Sequence, residues 1–231
     1  MYKDIVIAVL SSIAIGYLLG CISVSYILST FKGFDIRKYG SGNAGASNVM
    51  IVLGRKAGFI VALLDIFKAF AAVKLATLIF PAAVSGNANY AACIAGTFAI
   101  IGHIFPFYMK FKGGKGLATL GGTILAVDCR LFFILLVLAI IIAVVTDYIC
   151  FVPISMALIF PVTYGYMYRS WLCTFILLLS SIFMWYKHVE NIERIKAGEE
   201  LKFHFLWNRE SESERLGIAD DGEEVFKIEK P

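Results

Sequence analysis

Three stretches of this sequence have residue types and spacings that could handle an anion. They read GSGNAGASN (Gly40–Asn48), GHIFPFYMKFKGGKGLAT (Gly102–Thr119) and HVENIERIKAGEE (His188–Glu200). In the second, Gly113, Gly114 and Gly116 flank Lys115 just before an apolar run. Glycines can turn backbone N–H groups toward a phosphate, a helix start adds a positive dipole end, and Lys115 adds a full charge. A basic loop that merely orients the chain fits the same residues as well, and the Walker pattern GxxxxGK[ST] is absent. In the first island Gly40, Gly42 and Gly45 alternate with Ser41, Asn43, Ser47 and Asn48. Such a loop could wrap a phosphorylated ligand, although an ordinary Gly/Asn turn explains it more simply. In the third, His188 and Asn191 are spaced i, i+3 and share a helix face. A histidine there could bind phosphate or move a proton, though a lone interfacial histidine is more often structural.

The elements that must position these islands are membrane helices. Hydrophobic residues make up 59% of the 231-residue chain and charged residues 16%, against roughly a quarter charged in soluble domains. Apolar runs fall at about 5–31, 57–80, 89–109, 116–127, 131–145, 149–168 and 171–186. They predict an all-α integral membrane protein of about seven transmembrane helices, because lipid-exposed backbone must satisfy its own hydrogen bonds. The two in the middle, 116–127 and 131–145, are short, and either span as tilted helices or form a re-entrant pair. Asp65 and Lys68, also i, i+3, fall inside the second run and read as an intramembrane ion pair.

Basic residues concentrate in three regions: 31–56, 110–115 and the segment after the last apolar run. An even number of spans separates each from the next. The positive-inside rule then puts all three in the cytoplasm and the N-terminus outside. The basic clusters suit membrane orientation and exclude a nucleic-acid footprint. The cysteines, Cys21, Cys93, Cys129, Cys150 and Cys173, form no CxxC pair and read as small buried apolar residues. Residues 1–202 are expected to form the membrane domain. Residues 203–231 form a polar, acidic cytoplasmic tail, expected to be flexible, with Phe203, Phe205 and Trp207 at headgroup level and His204 exposed.

Together the islands resemble the acyl-phosphate-dependent glycerol-3-phosphate acyltransferase family (PlsY-type). GHIFPFYMKFKGGKGLAT is similar to the second motif of that family, SGNAGASN followed by GRKAG to the first, and HVENIERIKAGEE to the third. The resemblance implies a multi-pass enzyme of the bacterial plasma (inner) membrane, working from the cytoplasmic side in phospholipid synthesis. It would move an acyl group from acyl phosphate to glycerol 3-phosphate, giving lysophosphatidic acid, with membrane lipid as its setting and no metal, cofactor or acyl-carrier protein. By motif position, Ser41, Lys115, His188 and Asn191 would be catalytic. Gly42, Asn43, Gly45, Asn48, Gly113, Gly114 and Gly116 would hold substrate phosphate, and Glu200 would support the third motif. Four positions depart from the family pattern: Ile51 and Asp147 replace arginines, and Cys150 and Pro153 replace serines. The departures leave an alternative, a weakened paralogue that binds a phosphorylated ligand or lipid as a regulator or partner.

Overall fold

The computed structural model describes residues 2–81, 84–85 and 88–206, and is helical apart from one two-residue hairpin. Its helices are α1 (Tyr2–Cys21), α2 (Val24–Phe31), α3 (Ala46–Leu53), α4 (Arg55–Ile79), α5 (Tyr90–Ile104), α6 (Leu117–Val127), α7 (Cys129–Thr146), α8 (Phe151–Met167) and α9 (Trp171–Ala197). Strands β1 (Val84–Ser85) and β2 (Ala88–Asn89) pair antiparallel ahead of α5. Among the described residues four stretches are long and apolar enough to cross a membrane: Lys3–Phe31, Tyr90–Met109, Cys129–Thr146 and Trp171–Ala197. Helices α6 and α8 are shorter apolar elements. Trp207 and the acidic run beyond it lie outside the described residues.

The helices differ in what they bury. On α5, Ala91–Thr97, Ala99, Ile100 and Gly102–Ile104 are all buried, making it the central helix. Helix α1 lies against it at small residues. A Cβ on Gly16 or Gly20 would sit 2.3 or 2.2 Å from the carbonyl oxygen of Ala95 or Ala99. Such close approach suits helices in lipid, where dispersion and not hydrophobic exclusion drives association. Helix α7 is the opposite case. It buries Leu131, Leu135 and Ala143 while Ile134, Val137, Ile141 and Val145 remain exposed, as an outer lipid-facing helix must.

Two expectations change. The run 5–31, read as one span, breaks between Cys21 and Val24. The break leaves polar backbone groups, and distant side chains take them up. The Tyr108 hydroxyl donates to the Cys21 carbonyl at 2.9 Å and accepts the Ser23 N–H at 3.1 Å. Lys68 Nζ donates to the Ile22 carbonyl at 2.7 Å. Of the two short middle segments, only α6 stays short. The next one gains residues at both ends, because Asp128 caps its start by accepting the Arg130 and Leu131 N–H groups, giving an 18-residue helix.

The ion pair between Asp65 and Lys68 is present at 2.7 Å. Cys21, Cys93, Cys150 and Cys173 are buried as expected, whereas Cys129, in the first turn of α7, is exposed. His204 is not simply exposed. Its backbone N–H donates to Asp147 Oδ1 at 3.1 Å, and its Nδ1 lies 2.8 Å from Asp147 Oδ2. Phe203 N–H bonds to the Asp147 carbonyl at 2.6 Å. The start of the expected tail is thus docked on the end of α7.

Candidate functional site

The site is built where the α5–α6 connection meets the end of α9. At the C-terminus of α5 the chain passes through a 3₁₀ turn, Phe107–Met109, and doubles back. Gly113 N–H then donates to the Ile104 carbonyl at 3.0 Å, and Gly114 N–H to the His103 carbonyl at 3.1 Å. Any side chain would block this closure, since a Cβ on Gly113 would lie 2.1 Å from the His103 carbonyl oxygen. This corrects the expected role of both glycines. Their N–H groups cap α5 and are not available to a phosphate. Their smallness brings Lys115 to its place. Gly116, at φ +93°, turns the chain into α6. It occupies the N-cap without a side-chain capping bond, which leaves Lys115 immediately ahead of the positive end of α6.

Helix α9 supplies the facing wall. Met184, His188 and Asn191 form its buried stripe, which is the i, i+4, i+7 spacing of one helical face. Lys115 Nζ donates to Asn191 Oδ1. Asn191 Nδ2 donates to Glu200 Oε1 at 2.5 Å, and Arg194 Nε donates to Glu200 Oε2 at 2.7 Å. Glu200 can reach back because α9 ends on Gly198 in the left-handed region, φ +75°, and the Glu200 N–H bonds to the Arg194 carbonyl at 3.2 Å. Burial, helped by the nearby charges of Arg194 and Lys187, brings the Lys115 ammonium down to about 8, against the pull of Glu200 and Glu190.

His188 is buried, and its Nδ1 lies 2.7 Å from the Met184 carbonyl. A carbonyl can only accept, so Nδ1 carries the proton. In its neutral form the ring then keeps a lone pair on Nε2, able to take a hydrogen bond from a hydroxyl.

The first island is organised differently. Asn48 is fully buried. Its Oδ1 accepts the Ser41 N–H at 2.7 Å, while Nδ2 lies 3.0, 3.0 and 2.8 Å from the carbonyls of Ile36, Tyr39 and Asn43. Asn48, expected on a ligand, is thus the internal clasp of its own turn. Gly42, φ +73°, uses its N–H on the Tyr39 carbonyl, and Gly45 caps the start of α3 above the Asn43 side chain. Ser41 is half-buried at the lip of this turn. Ile51 packs against the apolar cluster of Ile36, Ala44, Val49, Val52, Val61 and Met109 under it.

Sequence reasoning passed over Arg37, which joins the first island to the second. Its Nη1 donates to the Met109 carbonyl at 2.8 Å, and its Nε and Nη2 engage Asp35. The Asp-x-Arg spacing of Asp35 and Arg37 was the available signal. Arg194, one of the basic residues after the last apolar run, stands i+3 from Asn191, and that spacing is its signal. The structure therefore joins Lys115, Asn191 and Glu200 by hydrogen bonds, with His188 on the same face of α9, and ties the segment ahead of Gly40 to the second island through the Arg37–Met109 contact.

Two departures from the family pattern are also explained locally. Asp147 is engaged by His204, and Pro153 lies in the first turn of α8, where a missing N–H costs nothing. Cys150, buried before α8, has its thiol pushed up to about 11 by burial and by Glu200.

Both the sequence and the fold have counterparts among known proteins. Residues 10–198 match the model of the glycerol-3-phosphate acyltransferase family. The chain is 38% identical over 204 residues to glycerol-3-phosphate acyltransferase 1 of Oceanobacillus iheyensis, covering 85% of this chain and 96% of the relative. It is 39% identical over 197 residues to the glycerol-3-phosphate acyltransferase of Thermoanaerobacter pseudethanolicus, covering 84% and 95%. Among solved structures it is similar to PlsY (YgiH), an integral membrane glycerol 3-phosphate acyltransferase, in its glycerol 3-phosphate form. The TM-score is 0.76 at 29% identity, with 86% of this chain and 96% of that one covered. The lysophosphatidic acid form of PlsY gives a TM-score of 0.73.

Proposed function

The chain belongs to the glycerol-3-phosphate acyltransferase family, and from that premise we propose how its residues divide the work of moving an acyl group from acyl phosphate to glycerol 3-phosphate. One observation carries the reading: Lys115 stands just ahead of the N-terminus of α6, largely buried, and is held by Asn191, whose amide is in turn held by the Glu200–Arg194 pair. A desolvated, preorganised cation at a helix start is a container for phosphate.

Lys115 and the first N–H groups of α6 hold a substrate phosphate. His188 accepts the hydrogen bond of the glycerol hydroxyl at Nε2 and orients its oxygen toward the acyl carbon. The new bond joins that oxygen to the acyl carbon, the bond from acyl carbon to phosphate oxygen breaks, and phosphate leaves with the electron pair. The hydroxyl proton passes to the departing phosphate or to His188 on the way. Phosphate is a good leaving group, so positioning and charge stabilisation suffice without an enzyme nucleophile. Ser41, with Gly42, Asn43 and Gly45, borders the glycerol side, and Gly116 lets the α6 terminus approach the anion. The charge pattern supports a plasma-membrane protein with this site on the cytoplasmic face and the N-terminus outside. Residues 1–202 carry the activity, and 203–231 form an accessory tail anchored at His204.

The test is an assay of the purified protein with palmitoyl phosphate and glycerol 3-phosphate. Lys115→Ala is expected to lower kcat/KM by about 10²–10³-fold, the usual effect of removing one preorganised donor. The native kcat/KM should fall as pH rises through about 8, where Lys115 loses its charge in the free enzyme. Native activity in Lys115→Ala would reject the assignment.

A further inference from the structure

Asp65 and Lys68 of α4 and His103 of α5 form a buried cluster that the reaction does not use. They are 2%, 5% and 4% exposed. A charge pair inside a membrane protein is commonly only self-compensating, but Lys68 has two further partners. Its Nζ donates to the Ile22 carbonyl left free by the α1–α2 break, and lies 2.8 Å from His103 Nδ1. An ammonium has no lone pair, so it must donate to Nδ1. His103 is therefore neutral, with its proton on Nε2. Asp65 Oδ1, 3.6 Å from Nδ1, is an electrostatic neighbour of the ring and not its hydrogen-bond partner.

The far edge of that ring meets the active loop. A Cβ on Gly114 would sit 2.2 Å from His103 Nε2. The His103 carbonyl also accepts the Gly114 N–H. One residue thus fixes Gly114 by side chain and by backbone, immediately before Lys115. Asp65 fixes Lys68, Lys68 fixes the ring, and the ring sets how closely the loop can settle on α5.

We propose that Asp65, Lys68 and His103 act as a strut that sets the height of Gly114 and so aims Lys115 at Asn191 and the substrate phosphate, with His103 as a positioning residue for acyl transfer. The inference rests on the phosphate-binding reading of Lys115. A loop displaced by about 1 Å can cost about 10²-fold in rate, so removing the strut should be felt in turnover even where the fold survives.

The experiment compares purified native protein, His103→Ala, the charge-free pair Asp65→Asn with Lys68→Met, and Lys115→Ala. Each is assayed for kcat, KM, thermal unfolding in detergent and the pH dependence of kcat/KM. The paired variant leaves no unpaired buried charge, and it is read in place of His103→Ala if the latter does not fold. The expected result is a fall of about 10–10²-fold in kcat for the folded protein. The alkaline limb should also move up from about 8, because a loosened Lys115 regains water and rises toward the ordinary lysine range. The groups facing Lys115 stay in place in these variants: Lys187, His188, Glu190 and Arg194 on α9, Glu200 beyond it, and Cys150 before α8. A shifted limb therefore reports its position. Gly114→Ala should be less damaging in the His103→Ala background than alone, since the ring it strikes is gone. Folded strut variants with native kcat and an unmoved limb would overturn the proposal. Lys115→Ala with native activity would instead reject the underlying reading.

Discussion

Two glycine-rich turns of similar composition, Gly40–Gly45 and Gly113–Gly116, are wired in opposite ways. In the first, hydrogen bonding closes within the turn: Asn48 gathers Ser41, Ile36, Tyr39 and Asn43, and Arg37 holds the turn from outside. In the second, the backbone closes onto α5 and one side chain, Lys115, is sent across to α9. Glycines serve backbone closure in both. The difference lies in what the closed turn presents: a neutral lip at Ser41, or a cation wired to Asn191, Glu200 and Arg194. A glycine-rich loop is thus a means of close approach, and its chemistry comes from the side chain it delivers.

Glu200→Ala should give the largest effect on this contrast. Glu200 is buried and supports both Asn191 and Arg194. Its loss leaves Lys115 beside an Arg194 whose remaining carboxylate contact is the longer 4.0 Å one to Glu190, and frees Asn191 to turn away. A fall of about 10² in kcat/KM is expected, together with a lower Lys115 pKa, and so an alkaline limb shifted to lower pH. Glu200→Gln should retain the bond to Asn191 and lose less. Unchanged kinetics in Glu200→Ala would mean that Lys115 is not held through α9.

Asn48→Ala probes the other turn and should act on stability first. It leaves the buried carbonyl of Ile36 and the half-buried backbone groups of Tyr39, Ser41 and Asn43 without their partner, at a cost of about 2–4 kcal/mol. The midpoint of thermal unfolding should drop, while turnover per folded molecule should fall less than in Glu200→Ala. A stable Asn48→Ala protein with no activity would break the comparison, because Asn48 would then be meeting substrate.

How much of this was legible follows from the range over which each feature is determined. Local pattern showed the apolar runs, the Asp65–Lys68 pair and the shared face of His188 and Asn191, since helical spacing alone fixes them. The break at Ile22 was hidden in a continuous apolar run, because its partners, Tyr108 and Lys68, are remote in sequence. The use of the Gly113 and Gly114 N–H groups was equally hidden. Composition gives backbone freedom but not direction, and direction is set by the end of α5. The role of Asp147, a departure from the family pattern in the sequence, was hidden because its partner, His204, lies on a segment that looks like tail.

The smallest expected effect is at Cys150, which tests how far the Lys115 side of the site extends toward the α7–α8 turn. The residue is 2% exposed and its thiol is pushed up to about 11, so it is protonated at any ordinary assay pH. A protonated thiol is a poor nucleophile, and the transfer needs none. Cys150 stands at the N-cap of α8, where it makes no side-chain capping bond. A serine hydroxyl would be slightly smaller and better hydrogen-bonding, with little else to change. Cys150→Ser should therefore alter kcat/KM by less than about threefold, under about 0.7 kcal/mol. A tenfold gain would mean that a hydroxyl here reaches the substrate, so that the α7–α8 turn is a third wall of the site and the contrast between the two glycine turns describes only part of it. A tenfold loss with the fold intact would mean that the thiol itself takes part, which the direct-attack route excludes.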